Sequence, residues 1–296
     1  MFKDRIIEAI NTNKKIQIVA NQSKVKLKDN VDMLDISNYQ GVISYYPEEL
    51  VITVKAGTKL SDLKEILAQN NQILAFEPPD YNNSSIGGSY ALALSGPGAY
   101  FRGYLRDFVL GIKIIDGKGN ELNFGGQMMK NVAGYDVARL LVGSRGRLAL
   151  ITEISFKVLP KVKEQTYMLE ISNTAAIKLM NKMASSSLPL SACAYYQDKF
   201  YYRLYGDYKR QDAIKTDATI WQILNPLRPK LNANEFLQQT ITTSTAKVET
   251  NTLAVDWCGV KRYILTTKRI KTKKDKNIKI IEEKLKNVFD PYGIFI

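Results

Sequence analysis

One turn-rich stretch, residues 124–136, limits most strongly what this chain can fold into and bind. It reads FGGQMMKNVAGYD and combines adjacent glycines with a Lys130–Asn131 pair and a Tyr135–Asp136 pair. Glycine lets the backbone adopt positive φ and approach a ligand closely, while lysine, asparagine and tyrosine supply hydrogen-bonding groups of different geometry. Such a loop can hold a large, polar, planar cofactor. The alternative interpretation is a tight helix entry with Tyr135 packed underneath.

The chain contains no histidine, which narrows the chemistry that its own side chains can perform. Histidine is the usual general base near neutral pH and a frequent zinc ligand. Any reaction must therefore use a cofactor or the side chains of Tyr, Lys, Asp, Glu or Ser. The two cysteines, Cys193 and Cys258, predict neither a disulfide framework nor a metal site. We expect both to be core thiols in strands.

The chain is 296 residues long, which is enough for two domains with separate cores. Strand and helix patterns alternate up to Pro160 and begin again after Lys161, so we predict domains at residues 1–160 and 161–296. Strands in hairpin and crossover arrangements with helices between them favour the α+β class with mixed sheets. The nucleotide-binding signature G-x-G-x-x-G between a strand and a helix is absent from the sequence, as is a P-loop.

Runs rich in Val, Ile and Tyr predict the strands of the first domain. These runs are residues 16–19, 31–36, 41–45, 50–55, 108–115, 121–124 and 147–158. The turn DGKG predicts that the fifth and sixth of them form a hairpin. We expect Thr58 to cap a helix whose buried stripe is Leu60, Leu63 and Leu67.

The second domain is predicted to contain two hairpin strands, 192–196 and 200–205, after a strand at 167–171 and a helix at 175–183. A less regular stretch rich in Asn and Thr follows from about residue 207 to 251. Two strands around Trp257 and Tyr263 and a helix at 278–288 complete this prediction.

Positive charge is concentrated late in the chain. The net charge is +13, and residues 261–286 contribute +8 of it, from 11 basic against 3 acidic side chains. A solvated face is the first interpretation, and an acidic partner subunit or an anionic membrane surface is the alternative. Nucleic acid is disfavoured because the run lacks a pattern of interleaved aromatic residues.

No run approaches 18 apolar residues, so the sequence predicts no transmembrane helix. The N-terminal run interleaves acidic residues with its apolar ones, which is unlike a secretion signal. We expect cytoplasmic placement, with peripheral contact at the inner face of the cell membrane left open.

Four segments of the first domain have the character of ligand-facing loops. They are residues 20–27 (ANQSKVKL), 77–98 (EPPDYNNSSIGGSYALALSGPG), 124–136 and 149–160 (ALITEISFKVLP). The first could form an anion-binding nest of backbone N–H groups, although a polar turn is equally consistent. In the second, glycines let a helix start pack against a flat or charged group. A helix–helix contact is the alternative there.

Taken in this order, the segments resemble the FAD-binding domain of the vanillyl-alcohol oxidase and p-cresol methylhydroxylase (PCMH) superfamily. Within it they resemble the FAD-binding subunits of bacterial glycolate oxidases. The resemblance is carried by residues 46–58 (YPEELVITVKAGT), 84–97 (SSIGG…LSGP), 106–119 (RDFVLGIKIIDGKG) and 124–146 (FGGQMMKNVAGYDVARLLVGSRG). It implies a two-lobed PCMH-type FAD-binding domain with mixed sheets, plus a smaller α+β cap domain. The second domain matches mainly through FDPYGIF near its end.

The resemblance also implies a set of contacts with FAD. It assigns the pyrophosphate to residues 20–24, which include Asn21, Gln22, Ser23 and Lys24. It assigns the pyrophosphate, ribityl chain and flavin edge to Pro79, Ile86, Gly87, Gly88, Ser95 and Gly96. It assigns the flavin region to Lys130, Asn131 and Tyr135, and the adenine to the backbone edge at Ile151. No catalytic residue and no metal ligand is implied.

Three departures from the family pattern qualify this assignment. The segment ANQSK lacks the glycines that most members use at the pyrophosphate turn. The absence of histidine implies that FAD is held non-covalently. FDPYGIF ends without the Asn-Pro-Gly sequence common in relatives.

The activity implied by the resemblance is oxidation of a 2-hydroxy acid, glycolate, to the 2-oxo acid glyoxylate. The hydroxyl proton needs a base with a pKa near the working pH, and tyrosine (about 10) and lysine (about 10.4) are poor bases. We therefore expect a larger catalytic flavin subunit to carry the base. An iron–sulfur subunit would take the electrons onward, because this chain lacks a cluster-type cysteine set. The runner-up is a non-catalytic assembly subunit that keeps the fold without productive flavin binding.

Overall fold

Two β-sheets, one after the other along the chain, organise the computed structural model of this protein. The structure describes residues 1–23, 27–29, 31–81, 83–126, 135–208, 210, 212–225, 227, 236–245, 247–267 and 275–296. A five-stranded sheet is built from residues between 42 and 157, and a seven-stranded sheet from residues between 164 and 266.

The helices and strands of the described residues are numbered in chain order. The helices are α1 (Phe2–Asn11), α2 (Leu60–Gln69), α3 (Ile86–Ala91), α4 (Ala99–Arg102), α5 (Leu105–Phe108), α6 (Val137–Leu140), α7 (Asn173–Ala184), α8 (Thr219–Leu224) and α9 (Lys276–Phe289). The strands up to the first sheet's end are β1 (Ile16–Val19), β2 (Asp32–Asp35), β3 (Val42–Tyr46), β4 (Val51–Lys55), β5 (Gln72–Ile73), β6 (Val109–Asp116), β7 (Glu121–Gly125), β8 (Ala149–Lys157) and β9 (Leu159–Pro160). The later strands are β10 (Glu164–Glu170), β11 (Leu190–Tyr196), β12 (Lys199–Tyr205), β13 (Ile214–Thr216), β14 (Phe236–Ile241), β15 (Thr252–Asp256) and β16 (Lys261–Thr266).

The first sheet has the strand order β3-β4-β8-β6-β7, and its neighbours are antiparallel. β1 and β2 pair in parallel in a small separate sheet. The predicted parallel and antiparallel pairings therefore occur in two different sheets. The hairpin predicted around DGKG is confirmed as β6 and β7. The predicted stripe of α2 is also confirmed, since Leu60, Leu63 and Leu67 are fully buried in the core of this unit.

Thr58 does not cap α2, contrary to the prediction. The N-cap residue is Lys59, and no side chain caps this helix. The Thr58 hydroxyl donates to the Lys55 carbonyl at 2.6 Å and accepts from the Gly41 N–H at 2.9 Å. A threonine hydroxyl can serve either a helix cap or a turn, and here it closes the turn that follows β4.

The second sheet has the strand order β13-β10-β12-β11-β15-β16-β14. The predicted hairpin is confirmed as β11 and β12, and the two strands around Trp257 are β15 and β16. The stretch predicted to be less regular contains β13, α8 and β14, which is a correction. β13 and β14 are the two edge strands of the sheet. An edge strand needs fewer apolar residues than a central one, so its sequence pattern is weaker.

The segment FDPYGIF packs against the first unit. The Ile16 N–H donates to the Ile294 carbonyl at 2.7 Å, and the Ile296 N–H donates to the Ile16 carbonyl at 3.1 Å. The buried Asp290 carboxylate accepts from the N–H groups of Ile294 and Phe295 at 3.0 and 2.8 Å. We propose that the chain divides into its two units near residue 160, with residues 289–296 returning to the core of the first.

The cysteine thiols are free and buried, as predicted. Cys193 lies in β11, whereas Cys258 lies in a 3-10 turn, Trp257–Gly259, instead of the expected strand. The described residues include no cluster of Cys, Asp or Glu arranged to hold a metal ion. They also include no helix with the length and hydropathy needed to cross a membrane.

Candidate functional site

A cavity of about 570 Å³ lies in the first unit, where three of the predicted ligand-facing segments meet. Its walls come from the end of β1 and the loop after it, from α3, and from the start of β8 with the turn before it. Six of the predicted contact residues line this one cavity. They are Asn21, Gln22, Ser23, Gly87, Gly88 and Ile151.

The loop after β1 is held against the segment that precedes α3. The Asn21 side-chain amide donates to the Asn83 carbonyl at 2.7 Å, and the Ser23 and Ser84 hydroxyls lie 3.3 Å apart. Gln22 has φ +50°, a left-handed conformation that brings successive backbone groups of a turn to one side. The polar turn of the sequence interpretation therefore borders the cavity, and an anion-binding nest at this turn stays a prediction.

Gly87 allows the start of α3 to pack closely against the residue that follows β4. Ser85 is the N-cap and accepts from the Gly88 N–H at 3.1 Å. The Gly87 N–H donates to the Ala56 carbonyl at 2.8 Å. A Cβ at Gly87 would lie 2.6 Å from that carbonyl oxygen and 2.8 Å from the Ala56 Cβ. Gly87 thus packs against the end of β4, not against another helix, and lets α3 border the cavity.

β8 has an unpaired backbone edge beside the cavity. β4 pairs with residues 153–157 of β8, whereas β6 pairs with β8 from Ala149 onward. Residues 149–151 therefore extend past the pairing with β4, and Ala149 and Ile151 line the cavity. This geometry leaves room for the predicted pairing between a ring of the ligand and the backbone near Ile151.

Three basic residues at the cavity were missed by the sequence interpretation. Lys28, Arg145 and Arg147 line it and are exposed, and the described lining includes no Asp or Glu side chain. Arg145 and Gly146 adopt φ +59° and +71°, so the turn GSRGR presents its two arginines beside β8. The sequence contained a signal for one of them, because Arg145 lies in GSRG at the end of the longest segment that carried the resemblance.

The cavity has the chemistry that FAD requires. Apolar side chains that include Ile18, Ile36 and Leu92 form one part of its wall and can take a flat ring. The polar loop and the basic rim can take a doubly charged diphosphate. The residues present therefore fit an extended dinucleotide that is held without a covalent bond.

Four other predicted contact residues lie away from this cavity. Pro79 and Ile86 are buried, the latter in the core of the first unit. The Ser95 hydroxyl accepts from the Leu105 N–H at 2.9 Å. A Cβ at Gly96 would lie 2.2 Å from the Glu77 carbonyl oxygen and 2.8 Å from the Asn225 amide atoms. Their roles toward FAD stay predictions.

The predicted flavin-side loop is only partly described. Tyr135 is 94% exposed, so it is not packed beneath a helix entry as the alternative interpretation required. Lys24, Lys130 and Asn131 lie outside the described residues.

A buried ionic network joins the two units. The Glu77 Oε1 atom lies 3.0 Å from Arg102 Nη1 and 2.7 Å from Arg203 Nη2. Glu164 contacts the same two arginines, and its Oε1 atom is 3.2 Å from Arg203 Nε. The side chains of Arg102 and Arg203 are only 4% and 8% exposed. Two carboxylates and two guanidinium groups therefore share one enclosed interface.

Comparison with known proteins supports the FAD-binding interpretation of the first unit. Residues 4–125 match the family described as "FAD binding domain". The structure of alkyldihydroxyacetonephosphate synthase aligns with 99% of this chain, over 73% of the synthase chain, with a TM-score of 0.70 at 15% sequence identity. Residues 4–125 are therefore similar to an FAD-binding domain, and the chain has the predicted α+β fold.

Individual relatives of this chain include subunits of glycolate oxidase. Glycolate oxidase subunit GlcE of Escherichia coli is 40% identical over 207 residues, which is 69% of this chain and 59% of the relative. The resemblance to the FAD-binding subunit of glycolate oxidase is thereby confirmed. Glycolate oxidase subunit GlcD of Bacillus subtilis is 30% identical, and D-lactate dehydrogenase of Archaeoglobus fulgidus is 29% identical, each over 31% of the relative. The chain thus spans less than two thirds of the length of these relatives.

Neutralising the basic rim is expected to weaken FAD binding by about tenfold. Exposed charge pairs contribute about 0.2–1 kcal/mol each, and three of them together approach the 1.4 kcal/mol of one decade in affinity. The variant is Lys28→Gln, Arg145→Gln, Arg147→Gln, and the measurement is fluorescence titration of apoprotein with FAD at low and high salt. The control replaces Lys178, Lys182 and Lys215, three exposed lysines of the second unit, with glutamine. Equal losses of FAD affinity in the rim variant and in the control would contradict a specific role for the rim.

Proposed function

We propose that this chain is the FAD-binding subunit of a glycolate-type 2-hydroxy-acid oxidoreductase. In the complex it would act with a larger catalytic flavin subunit and an iron–sulfur subunit in converting glycolate to glyoxylate. The observation that carries the proposal is the cavity, which unites the polar loop after β1, the glycine start of α3 and the open edge of β8. Relatives named for glycolate oxidase and D-lactate dehydrogenase support the substrate class, because glycolate and D-lactate are both 2-hydroxy acids.

When bound, FAD supplies a two-electron acceptor for the oxidation of the substrate. The protein's own residues hold it. Asn21, Ser23 and the basic rim bind the diphosphate through hydrogen bonds and charge. Ile18 and Ile36 cover the adenine end and exclude water from it. The backbone edge at Ile151 orients the adenine ring.

The proposed partners follow from what this chain cannot supply. Iron–sulfur clusters are usually held by four cysteines, and the whole sequence contains two, Cys193 and Cys258, both buried. Electrons that leave a flavin here would therefore need a cluster on another subunit. The positive charge of residues 261–286 would suit an acidic partner, or peripheral contact with an anionic membrane, although Lys261 and Arg262 at its start are buried.

One observation favours the alternative, a non-catalytic assembly subunit. Gly96 was predicted to lie at the flavin edge, yet Asn225 of the second unit packs against it and donates to the Glu77 carbonyl at 2.9 Å. A chain whose two units contact each other at that point could keep the fold without binding FAD in a position for catalysis. A stand-alone flavin oxidase is a third candidate, and the absence of histidine disfavours it.

The visible spectrum of the purified chain separates these functions. We expect flavin absorbance that corresponds to about one FAD per chain, and little glycolate-dependent dye reduction until the neighbouring subunits are co-expressed. A colourless chain that still assembles with those subunits would support the assembly role. Full turnover by the isolated chain would contradict the proposed division of labour.

A further inference from the structure

Lys286, near the end of α9, joins three segments of the first unit through its ammonium group. Its Nζ atom donates to the Arg147 carbonyl at 2.6 Å, to the Phe295 carbonyl at 2.5 Å and to the Asp290 carboxylate at 2.5 Å. An ammonium group has three N–H donors, and each of them has an acceptor here. The turn before β8, the end of α9 and the segment after it therefore meet at one side chain.

Asp290 connects Lys286 to the C-terminal segment, residues 290–296. The Asp290 carboxylate is buried, and it accepts from two backbone N–H groups of this segment as well as from the Lys286 ammonium group. The attraction within a buried ion pair offsets its desolvation only when hydrogen bonds satisfy the remaining atoms, and both partners meet that condition. The segment runs beside β1, and its Ile296 lines the cavity assigned to FAD.

The turn of residues 143–147 lies between two cavities. One is the cavity assigned to FAD, and the other, of about 590 Å³, lies between this turn and α9. Arg145 and Arg147 line both cavities, and Lys286 lines the second. A segment with few apolar contacts is held mainly by its hydrogen bonds. Polar contacts therefore decide where the two arginines lie.

Different contacts hold the two ends of this turn. At its start, two N–H groups of the turn donate to the carbonyls of Tyr90 and Ala91, in α3, at 3.1 and 2.8 Å. At its other end, the Arg147 carbonyl accepts from the Lys286 ammonium group. Loss of Lys286 would therefore release the end that carries Arg147 and leave the end beside α3 in place.

We propose that Lys286 is a positioning residue for FAD binding, because it sets the place of the turn that carries Arg145 and Arg147 and of the C-terminal segment that carries Ile296. This inference rests on the proposed function, in which FAD occupies the cavity. A guanidinium group binds a diphosphate most strongly when its planar fork is directed at the phosphate oxygens. A displaced turn would keep the charge of the two arginines near the cavity but would lose that direction.

Fluorescence titration of the flavin-free chain with FAD measures this effect. We expect Lys286→Met, which removes the three donors, to weaken FAD binding about fivefold, the share of the basic rim that two arginines supply. The control is Lys284→Met, an exposed lysine of the same helix, which should bind FAD within about twofold of the wild type. Unchanged FAD affinity in Lys286→Met would overturn the inference.

A second background distinguishes positioning from a general loss of stability. In a chain that already carries Arg145→Gln and Arg147→Gln, Lys286→Met should weaken FAD binding by no more than about twofold, because the arginines that it positions are gone. A residue that only stabilises the fold would have the same effect in both backgrounds, and that result would overturn the inference. If Lys286→Met fails to fold, Lys286→Gln, which keeps an N–H donor, replaces it in both backgrounds.

Hydrogen–deuterium exchange of the flavin-free chain tests the same role without FAD. We expect Lys286→Met to speed exchange in peptides from residues 143–148 and 290–296, but not in those from α2, which packs elsewhere in the core. Faster exchange in a chain that binds no FAD would contradict the proposed function and leave the positioning role standing. Normal exchange at both segments in a chain that binds FAD would overturn the positioning role and leave the proposed function standing.

Discussion

Replacement of Glu77 by alanine is expected to destabilise the protein by about 3–5 kcal/mol, the cost of breaking a buried ion pair from one side. The Glu77 carboxylate contacts Arg102 at 3.0 Å and Arg203 at 2.7 Å, and it accepts from the Gly98 N–H at 2.9 Å. Both guanidinium groups are more than nine-tenths buried. Without Glu77 they would share only Glu164, so one positive charge would lose its partner in a largely buried interface.

Chemical denaturation of the flavin-free chain measures this effect. The matched control is Glu170→Ala, because Glu170 pairs with Lys199 at 3.6 Å where both side chains are exposed, 68% and 40%. Exposed pairs of this kind contribute about 0.2–1 kcal/mol. We also expect Glu77→Ala to separate the unfolding of the two units, since the network is a polar link between them. If Glu77→Ala lowers the free energy of unfolding only as little as the control does, the network adds no stability.

Replacement of Gly87 by alanine is expected to damage both folding and FAD retention. The new Cβ would lie 2.6 Å from the Ala56 carbonyl oxygen, which accepts the Gly87 N–H and cannot move without breaking that hydrogen bond. Overpacking in a tight core costs about 1–3 kcal/mol, and here the obstacle is backbone. α3 would have to shift away from β4 and into the cavity that Gly87 lines.

Gly143→Ala is the control for this substitution. Gly143 has φ +85°, but a Cβ there would meet only the Ala93 Cβ at 3.4 Å, an ordinary contact. The control therefore carries only the cost of an alanine at positive φ, about 1–2 kcal/mol, without a clash beside α3. Melting temperature and the FAD content of the purified proteins are the two measurements. Normal FAD content in Gly87→Ala would contradict the position that we assign to α3.

Local patterns in the sequence predicted most of the secondary structure. The stripe Leu60, Leu63 and Leu67 repeats at helical spacing, and the turn DGKG joins two adjacent strands, so neighbours in sequence were enough. The prediction failed where an element depends on distant residues. β13 and β14 are edge strands, and α8 is held by contacts such as the hydrogen bond from the Trp221 indole to the Thr166 hydroxyl, 55 residues away.

The candidate site, too, was predicted only in part from the sequence. Six predicted contact residues line one cavity, and they come from a polar turn, the glycine-containing start of α3 and the start of β8. Arg145 and Arg147 were missed, since charged side chains in a turn are most often solvated and unremarkable. Ser95 was predicted to line the pyrophosphate, ribityl chain and flavin edge; its hydroxyl accepts from the Leu105 N–H, and its role toward FAD stays a prediction. A sequence does not reveal which of two available partners a hydroxyl will take.

Glycine positions, turn residues and hydrophobic spacing are local properties of a single chain, and they were enough to predict an FAD-binding domain. Which side chains are buried together between the two units became visible only in the folded chain. Glu77 and Arg203 are 126 residues apart, and Asp256 meets Lys261 only through the register of β15 and β16. The behaviour of such charges depends on their desolvation and on their partners, and both arise only when the chain has folded.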